Sequence, residues 1–176
     1  MLRGAEGDED AFALLVRRWE KAVFAFLEMM VGSPEEAQDL AQEAFLRMCR
    51  HAPRYRPSGQ FRSWLFRIAG NLARSRLRRR KILRWVRFDP VLHDRLIPGD
   101  RPDAALERQE RRRAVRRALG RLPERQRQAL VLRQYEGLAY REIAETMETT
   151  VSAVESLLFR AMAALGKELR REEGEQ

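Results

Sequence analysis

Apolar side chains recur at helical spacing along almost every long segment of this chain, and that period restricts the fold class more than any other feature. In the first segment they would form one apolar face of a helix, at Phe12, Leu15, Val16, Trp19, Val23, Phe26, Leu27 and Met30. We therefore predict an all-α protein, made of two small helical domains joined by a flexible linker.

Residues that begin and end helices divide the first half of the chain. Gly32 is predicted to end the first helix. Ser33 is predicted to cap the second helix, with Pro34 at its first helical position and Glu36 completing a capping box. Pro53 is predicted to end that helix. Its buried stripe would consist of Leu40, Ala44, Phe45 and Met48.

A third, long helix is predicted from about Phe61, after a loop over residues 55–60 that contains Pro and Gly. Its apolar face would carry Trp64, Leu65, Ile68 and Leu72. Its opposite face would carry Arg67, Asn71, Arg74 and Arg78. The helix is predicted to end in the basic run over residues 78–81.

The segment from about residue 86 to residue 102 is predicted to be the linker, because its periodicity is poor and it contains Pro90, Pro98, Gly99 and Pro102. This places one domain at residues 1–85 and a second at residues 103–176. A chain of 176 residues is long enough for two small domains.

The second domain ends in two short predicted helices, at about residues 140–147 and 152–167, joined by a tight turn of about four residues. This arrangement is typical of a helix-turn-helix, whose second helix enters the DNA major groove. Its outward side chains would be Ser152, Ala153, Glu155, Ser156, Phe159 and Arg160. Taken alone, the pattern also fits an antiparallel helix pair that packs on a neighbour.

Charge is distributed unevenly along the chain, whose formal net charge is +9. Residues 1–43 hold four basic and ten acidic side chains, whereas residues 44–88 hold fourteen basic side chains and no Asp or Glu. A basic excess indicates a polyanionic partner, either nucleic acid or an anionic membrane surface, although extra Arg can also serve only solubility. The acidic block followed by the basic block indicates two different partners.

Other site types are disfavoured by composition. Cys49 is the single cysteine, and with only His51 and His93 beside it we predict neither a zinc site nor any other cofactor. Cys49 is predicted to be a small buried apolar residue. No apolar run approaches the roughly 20 residues that cross a bilayer, and the first ten residues lack a secretory apolar region. We expect a cytoplasmic protein without stable membrane insertion.

The second domain resembles region 4 of the sigma-70 family at residues 122–132, 136–144 and 154–161, which read LPERQRQALVL, EGLAYREIA and VESLLFRA. The resemblance implies reading of the promoter −35 element and contact with the flap of the polymerase β subunit. It implies −35 contacts by Arg141, Ser152, Ser156, Phe159 and Arg160. The family usually has Gly where this chain has Glu148, and often Lys or Arg where it has Glu155 and Leu157.

The first domain resembles region 2 of the same family, and residues 36–47 look like the helix that docks on the clamp helices of polymerase β′. Asp39, Gln42 and Glu43 would form the polymerase-binding patch, since their spacing places them on one polar face. Without the rest of the pattern, a solvated acidic helix face would explain them equally well.

Residues 61–73 resemble the helix that recognises the −10 element. Single-stranded DNA binding needs cations for the backbone and surfaces or pockets for unstacked bases. Trp64 is predicted to belong to the core, whereas Phe61 and the 55–60 loop are better candidates for a base pocket. The −10 residues predicted in this way are Tyr55, Phe61, Arg62, Arg67, Asn71, Arg74 and Arg78.

The layout, with no further region before region 2 or between regions 2 and 4, resembles the extracytoplasmic-function group of sigma factors. It implies a factor that binds core RNA polymerase and directs promoter-specific initiation, with promoter DNA and an anti-sigma factor as further partners. A stand-alone helix-turn-helix regulator would not explain the acidic helix followed by an acid-free one. An enzymatic function is not supported, because the sequence has no phosphate-binding loop and no nucleophile–base pair. A membrane-surface protein would need a broader apolar face on the Arg-rich helix.

Overall fold

The computed structural model describes residues 9–55, 60–87 and 113–174, and within these ranges all regular secondary structure is helical. The predicted all-α class is therefore confirmed. The elements are helices α1 (Glu9–Val31), α2 (Pro34–His51), α3 (Phe61–Arg87), α4 (residues 113–121), α5 (Glu124–Gln134), α6 (Tyr140–Thr146) and α7 (Val151–Gly174), with a 3₁₀ turn at Ala52–Arg54.

Helices α1, α2 and α3 pack against one another as a three-helix unit. Their apolar faces meet around Phe26 of α1 and Phe66 of α3, whose rings lie edge to face with centroids 5.2 Å apart. Met48 of α2 and Leu65 of α3 are also fully buried. The helical periodicity of the sequence thus produces the core that it predicts.

The start of α2 follows the predicted capping in part. Gly32 has a φ of 77°, and the Glu36 N–H donates to Ser33 Oγ at 3.2 Å. The other half of the predicted capping box, in which the Glu36 carboxylate would accept from the Ser33 backbone N–H, is wrong. The carboxylate is directed to cations of α3 instead. It lies 3.7 Å from Arg76 and 3.4 Å from Arg80. Glu36 therefore ties α2 to α3.

Two other predictions about the first half need correction. Helix α3 continues to Arg87, beyond the predicted end at Lys81 and into the first two residues of the predicted linker. Residues 82–87 contain neither Pro nor Gly, so nothing local ends the helix there. Cys49 is exposed, because it lies one position past the buried Met48 and off the apolar stripe of α2. The rest of the linker, and residues 103–112, lie outside the described residues.

Helices α4 to α7 form the second unit, with Leu130 of α5, Ile143 of α6 and Val154 of α7 buried among its helices. Gly137, between α5 and α6, has a φ of 63°, a conformation that glycine adopts without strain. The two units also pack on each other, since α5 contacts α1 and α6 contacts α3. A single apolar cluster runs through both.

Arg127 of α5 is the charged group at the centre of this packing. It is 6% exposed, and its guanidinium donates to the carbonyl oxygens of Met30, Gly120 and Leu122. Met30 lies in the last turn of α1, and Gly120 and Leu122 lie at the end of α4. Carbonyls at helix C-termini carry partial negative charge and lack helical donors, so one cation satisfies two helix ends. Burial lowers the pKa of Arg127.

We predict that Arg127→Ala lowers the free energy of unfolding by about 3 kcal/mol, because it leaves buried carbonyls without their charged donor. Urea denaturation followed by circular dichroism measures the change. Arg125→Ala is the matched control, since Arg125 is exposed on the same helix and its loss should change stability by less than about 0.5 kcal/mol. Equal effects of the two substitutions would contradict the role given to Arg127.

Candidate nucleic-acid interface

The polar face of α3 presents cations and one amide in the predicted arrangement. Asn71 and Arg78 are exposed, whereas Arg67 and Arg74 are partly buried. Arg74 donates to Asn71 Oδ1, which leaves the Asn71 amide nitrogen as its outward donor. Burial, followed by repulsion from Arg125 and Arg78, lowers the pKa of Arg74. The face therefore combines positive charge with a side chain that can bond to a base edge.

An aromatic cluster lies at the N-terminal end of this face. Tyr55 packs on Trp64 with ring centroids 4.8 Å apart and on Phe61 at 6.1 Å, and Phe61 also meets Trp19 at 5.9 Å. Burial raises the pKa of Tyr55. Trp64 is half-buried and packs against the core, as predicted, but it also touches both candidate pocket residues. Residues 56–59 of the predicted pocket loop lie outside the described residues.

Two of the predicted −10 cations face carboxylates from the second unit. Arg62 lies 3.8 Å from Glu136, and Arg67 lies 3.5 Å from Glu148 in the turn between α6 and α7. Burial raises the pKa of Glu136, and the charge of Arg62 opposes that rise. No local pattern in the sequence predicts these pairs. The available signal was the lack of any acid in residues 44–88, which requires α3 to find its counter-charges elsewhere.

The predicted polymerase-binding residues lie on α2. Asp39 and Gln42 are exposed and Glu43 is partly exposed. Glu43 pairs with Arg47 on the same helix at 2.7 Å, and this hydrogen bond holds the pKa of Glu43 below its usual value. Asp39 and Gln42 are thus the fully exposed members of the patch, whereas Glu43 Oε1 is held by Arg47.

Helices α6 and α7 form the predicted helix-turn-helix. Ile143, Ala144, Met147 and Val154 are buried where the two helices meet. The turn contains Glu148 at a φ of 51°, in the left-handed region that favours glycine. The Thr149 N–H donates to the Ala144 carbonyl oxygen at 2.9 Å, and the Thr150 hydroxyl accepts from the Ala153 N–H at 3.1 Å, so both ends of the turn are capped.

The predicted −35 residues are all exposed, with Arg141 on α6 and the others on α7. The Ser156 hydroxyl donates to the Ser152 carbonyl oxygen at 3.0 Å, and Arg160 Nε donates to the Ser156 carbonyl oxygen at 3.1 Å. Phe159 is 78% exposed, an unusual position for a large apolar side chain that suits contact with a thymine methyl group. This side of α7 therefore offers one cation and one apolar contact.

Metal sites and membrane-spanning helices are two further possibilities for the same parts of the chain. No three His, Cys, Asp or Glu side chains come together there as a possible metal site. None of the helices described combines the length and the apolar character that crossing a bilayer requires. The described residues present a cationic helix and a helix-turn-helix. These two features define a helical DNA-binding protein.

The comparisons with known proteins give the family. Residues 15–82 match the family model for sigma-70 region 2, and residues 112–165 match that for sigma-70 region 4. The chain is 36% identical to the RNA polymerase sigma-H factor of Pseudomonas aeruginosa, with 96% of this chain and 91% of that one covered. It is 33% identical to the ECF RNA polymerase sigma-E factor of Escherichia coli K12, with the same coverage.

The structure is similar to that of CnrH solved in complex with the cytosolic domain of CnrY, with a TM-score of 0.71 and 26% identity. That match covers 96% of this chain and 94% of the other. The chain belongs to the extracytoplasmic-function group of the sigma-70 family. It is a promoter-recognising RNA polymerase sigma factor, and its family consists of transcription initiation factors.

We predict that Glu148→Gly raises the free energy of unfolding by about 1 kcal/mol relative to Glu148→Ala. Both variants lose the carboxylate, but only glycine adopts the observed φ of 51° without strain. Urea denaturation of the two variants in parallel measures the difference. Equal stabilities, or a more stable alanine variant, would show that the turn carries no left-handed strain.

Proposed function

We propose that the two halves of this sigma factor divide promoter recognition between them. In this division residues 1–85 dock on polymerase and read and melt the −10 element, while residues 103–176 read the −35 element. The observation that carries the proposal is the polar face of α3, where partly and fully exposed cations share the helix with Asn71 and with Phe61 of the Tyr55–Phe61 aromatic pair. Single-stranded DNA needs both kinds of contact.

The −10 residues divide by chemistry. Arg62, Arg67, Arg74 and Arg78 would hold phosphates, which positions the strand without reading its sequence. Asn71 would read a base edge through its amide nitrogen, because Arg74 already occupies its oxygen. Tyr55 and Phe61 would receive an unstacked base. We infer that the chain acts by binding alone and is not an enzyme, and that it works in the cytoplasm, where the polymerase transcribes.

Polymerase docking is assigned to Asp39, Gln42 and Glu43, which would meet basic side chains of the β′ clamp helices. We expect Asp39→Arg to weaken binding to core polymerase by about 2–5 kcal/mol, the typical loss for a close interfacial charge pair. Run-off transcription and a binding titration with core polymerase measure the loss. Gln38→Arg is the positional control, since it adds a cation at the neighbouring exposed position.

Asp39→Asn separates loss of charge from reversal of charge, and it should weaken binding to core polymerase less than Asp39→Arg does. A folded Asp39→Arg protein that binds core polymerase as tightly as the Gln38→Arg protein would remove the assignment.

The −35 element is assigned to the exposed side of α7 with Arg141 of α6, and the β flap is proposed as the partner of the same unit. Arg160 should dominate base reading, because Glu155 and Leu157 leave few other donors on the recognition helix. We expect Arg160→Ala to cost about 1–3 kcal/mol in promoter binding if its contact is bidentate. Lys167→Ala, exposed further along α7, is the control for loss of one charge.

The measurement is binding to a set of promoters that vary in the −35 element. Arg160→Ala should flatten the preference among them, and Lys167→Ala should preserve it. A preference that survives Arg160→Ala unchanged would assign the reading to another residue.

We also propose a separate anti-sigma partner. The CnrH structure includes the cytosolic domain of CnrY, and its TM-score of 0.71 over 96% of this chain could not come from one half alone. The two halves of this chain therefore pack in an arrangement that a relative adopts together with that partner. An inhibitor that clasps both halves at once would fit this arrangement.

A further inference from the structure

We propose that acidic side chains of the second unit occupy the DNA-binding cations of α3, so that the free chain inhibits its own binding to single-stranded DNA. The inference rests on the proposed role of α3 in binding the −10 element. It concerns an intramolecular contact, and it requires no other protein to close the molecule.

Three ion pairs carry the argument, and each joins a cation of α3 to a carboxylate of the second unit. Lys81 lies 2.9 Å from Glu124 of α5, in addition to the pairs of Arg62 with Glu136 at 3.8 Å and of Arg67 with Glu148 at 3.5 Å. The pairs are spread along α3 from its first turn to its basic run. The second unit thus places a row of negative charges along this helix.

A row of carboxylates beside guanidinium and ammonium groups resembles the backbone of a nucleic acid. Carboxylate and phosphate oxygens are attracted to the same arginine cations, so a carboxylate close to the guanidinium weakens its attraction for a phosphate. Residues 44–88 supply no acid of their own, and the first unit offers Glu36 to Arg76 and Arg80 instead. The acids facing Arg62, Arg67 and Lys81 therefore come from the second unit.

A close approach at Gly70 fixes this contact sterically. A Cβ at Gly70 would lie 2.3 Å from Nε2 of Gln128, a side chain of α5 that is fully buried. A side chain at this position would require the buried Gln128 amide to move before α5 could come this near. Neither Nε2 nor Oε1 of Gln128 has a hydrogen-bond partner within the described parts of the chain. Burying an unpaired amide is costly, so the contact includes a penalty that favours opening.

The balance of these effects makes closure reversible, so that closure lowers the affinity for DNA without abolishing binding. The apolar cluster shared by both units and Arg127 hold the closed form, whereas ion pairs with exposed partners, such as Arg67 and Glu148, contribute little each and the buried amide opposes closure. When only the open form can bind DNA, the apparent dissociation constant rises in inverse proportion to the open fraction. Neutralising the carboxylates should therefore tighten DNA binding without adding any contact to DNA.

The test is the affinity of the full chain for a single-stranded oligonucleotide carrying a −10 sequence, measured by fluorescence anisotropy. The Glu136→Gln/Glu148→Gln variant should bind about three- to tenfold more tightly than its control, the range expected for two weak ion pairs. The control is Glu20→Gln/Glu168→Gln, which changes net charge equally. Glu20 is exposed on α1, and Glu168 pairs with Arg121 within the second unit.

Gly70→Ala tests the same closure without changing any charge. It should also tighten binding and should raise the radius of gyration in small-angle scattering, while urea denaturation confirms that the protein is folded. The proposal is overturned if the Glu136→Gln/Glu148→Gln variant binds DNA no better than its control. A folded Gly70→Ala protein whose radius of gyration rises without any gain in affinity would overturn it equally.

Arg78→Ala distinguishes this failure from failure of the proposed function. Arg78 is exposed on α3 and should contact DNA once the units separate. If Arg78→Ala weakens DNA binding while the charge-neutralised variant matches its control, α3 binds DNA but is not inhibited. If Arg78→Ala changes nothing even in the charge-neutralised background, α3 is not the DNA surface, and the −10 assignment falls together with the inhibition.

Discussion

The relative position of the two halves depends on one buried cation. Arg127 is held by carbonyls at the ends of α1 and α4, and a guanidinium with no such acceptors could not remain buried at acceptable cost. Because it belongs to α5, it sets that helix against α1. The pair of Arg116 with Glu28, at 3.1 Å, joins the same two units nearby. Together they decide which face of the second unit meets α3.

Much of the fold and of the candidate site follows from local rules. Helical periodicity predicts the core, Ser33 and Gly32 predict the junction of α1 and α2, and the turn pattern predicts the helix-turn-helix. The exposure of Asp39 and of Arg160 follows in the same way, because a helix with one buried face leaves its other face in solvent.

Contacts between distant residues could not be predicted in that way. The pairs of Glu136 and Glu148 with α3 depend on how two units pack, and no local pattern encodes that geometry. The pairing of Glu36 with α3 also depends on how the helices pack. Its carboxylate pairs with two arginines of a neighbouring helix and not with the N-terminus of its own helix. Cys49 shows a smaller failure, where residue type suggested burial but position on the helix decided otherwise.

The cations of α3 differ in whether they are available to bind a polyanion. Arg76 and Arg80 are engaged by Glu36 within the first unit, and Arg80 also donates to the Val31 carbonyl, so they serve the fold whether the units are together or apart. Arg78 is exposed in either case. The cations that face the second unit lose their carboxylate partners when the units separate. Separation would therefore alter the charge that α3 offers to a polyanion while leaving its core unchanged, because the groups that fix the helix are not those that are released.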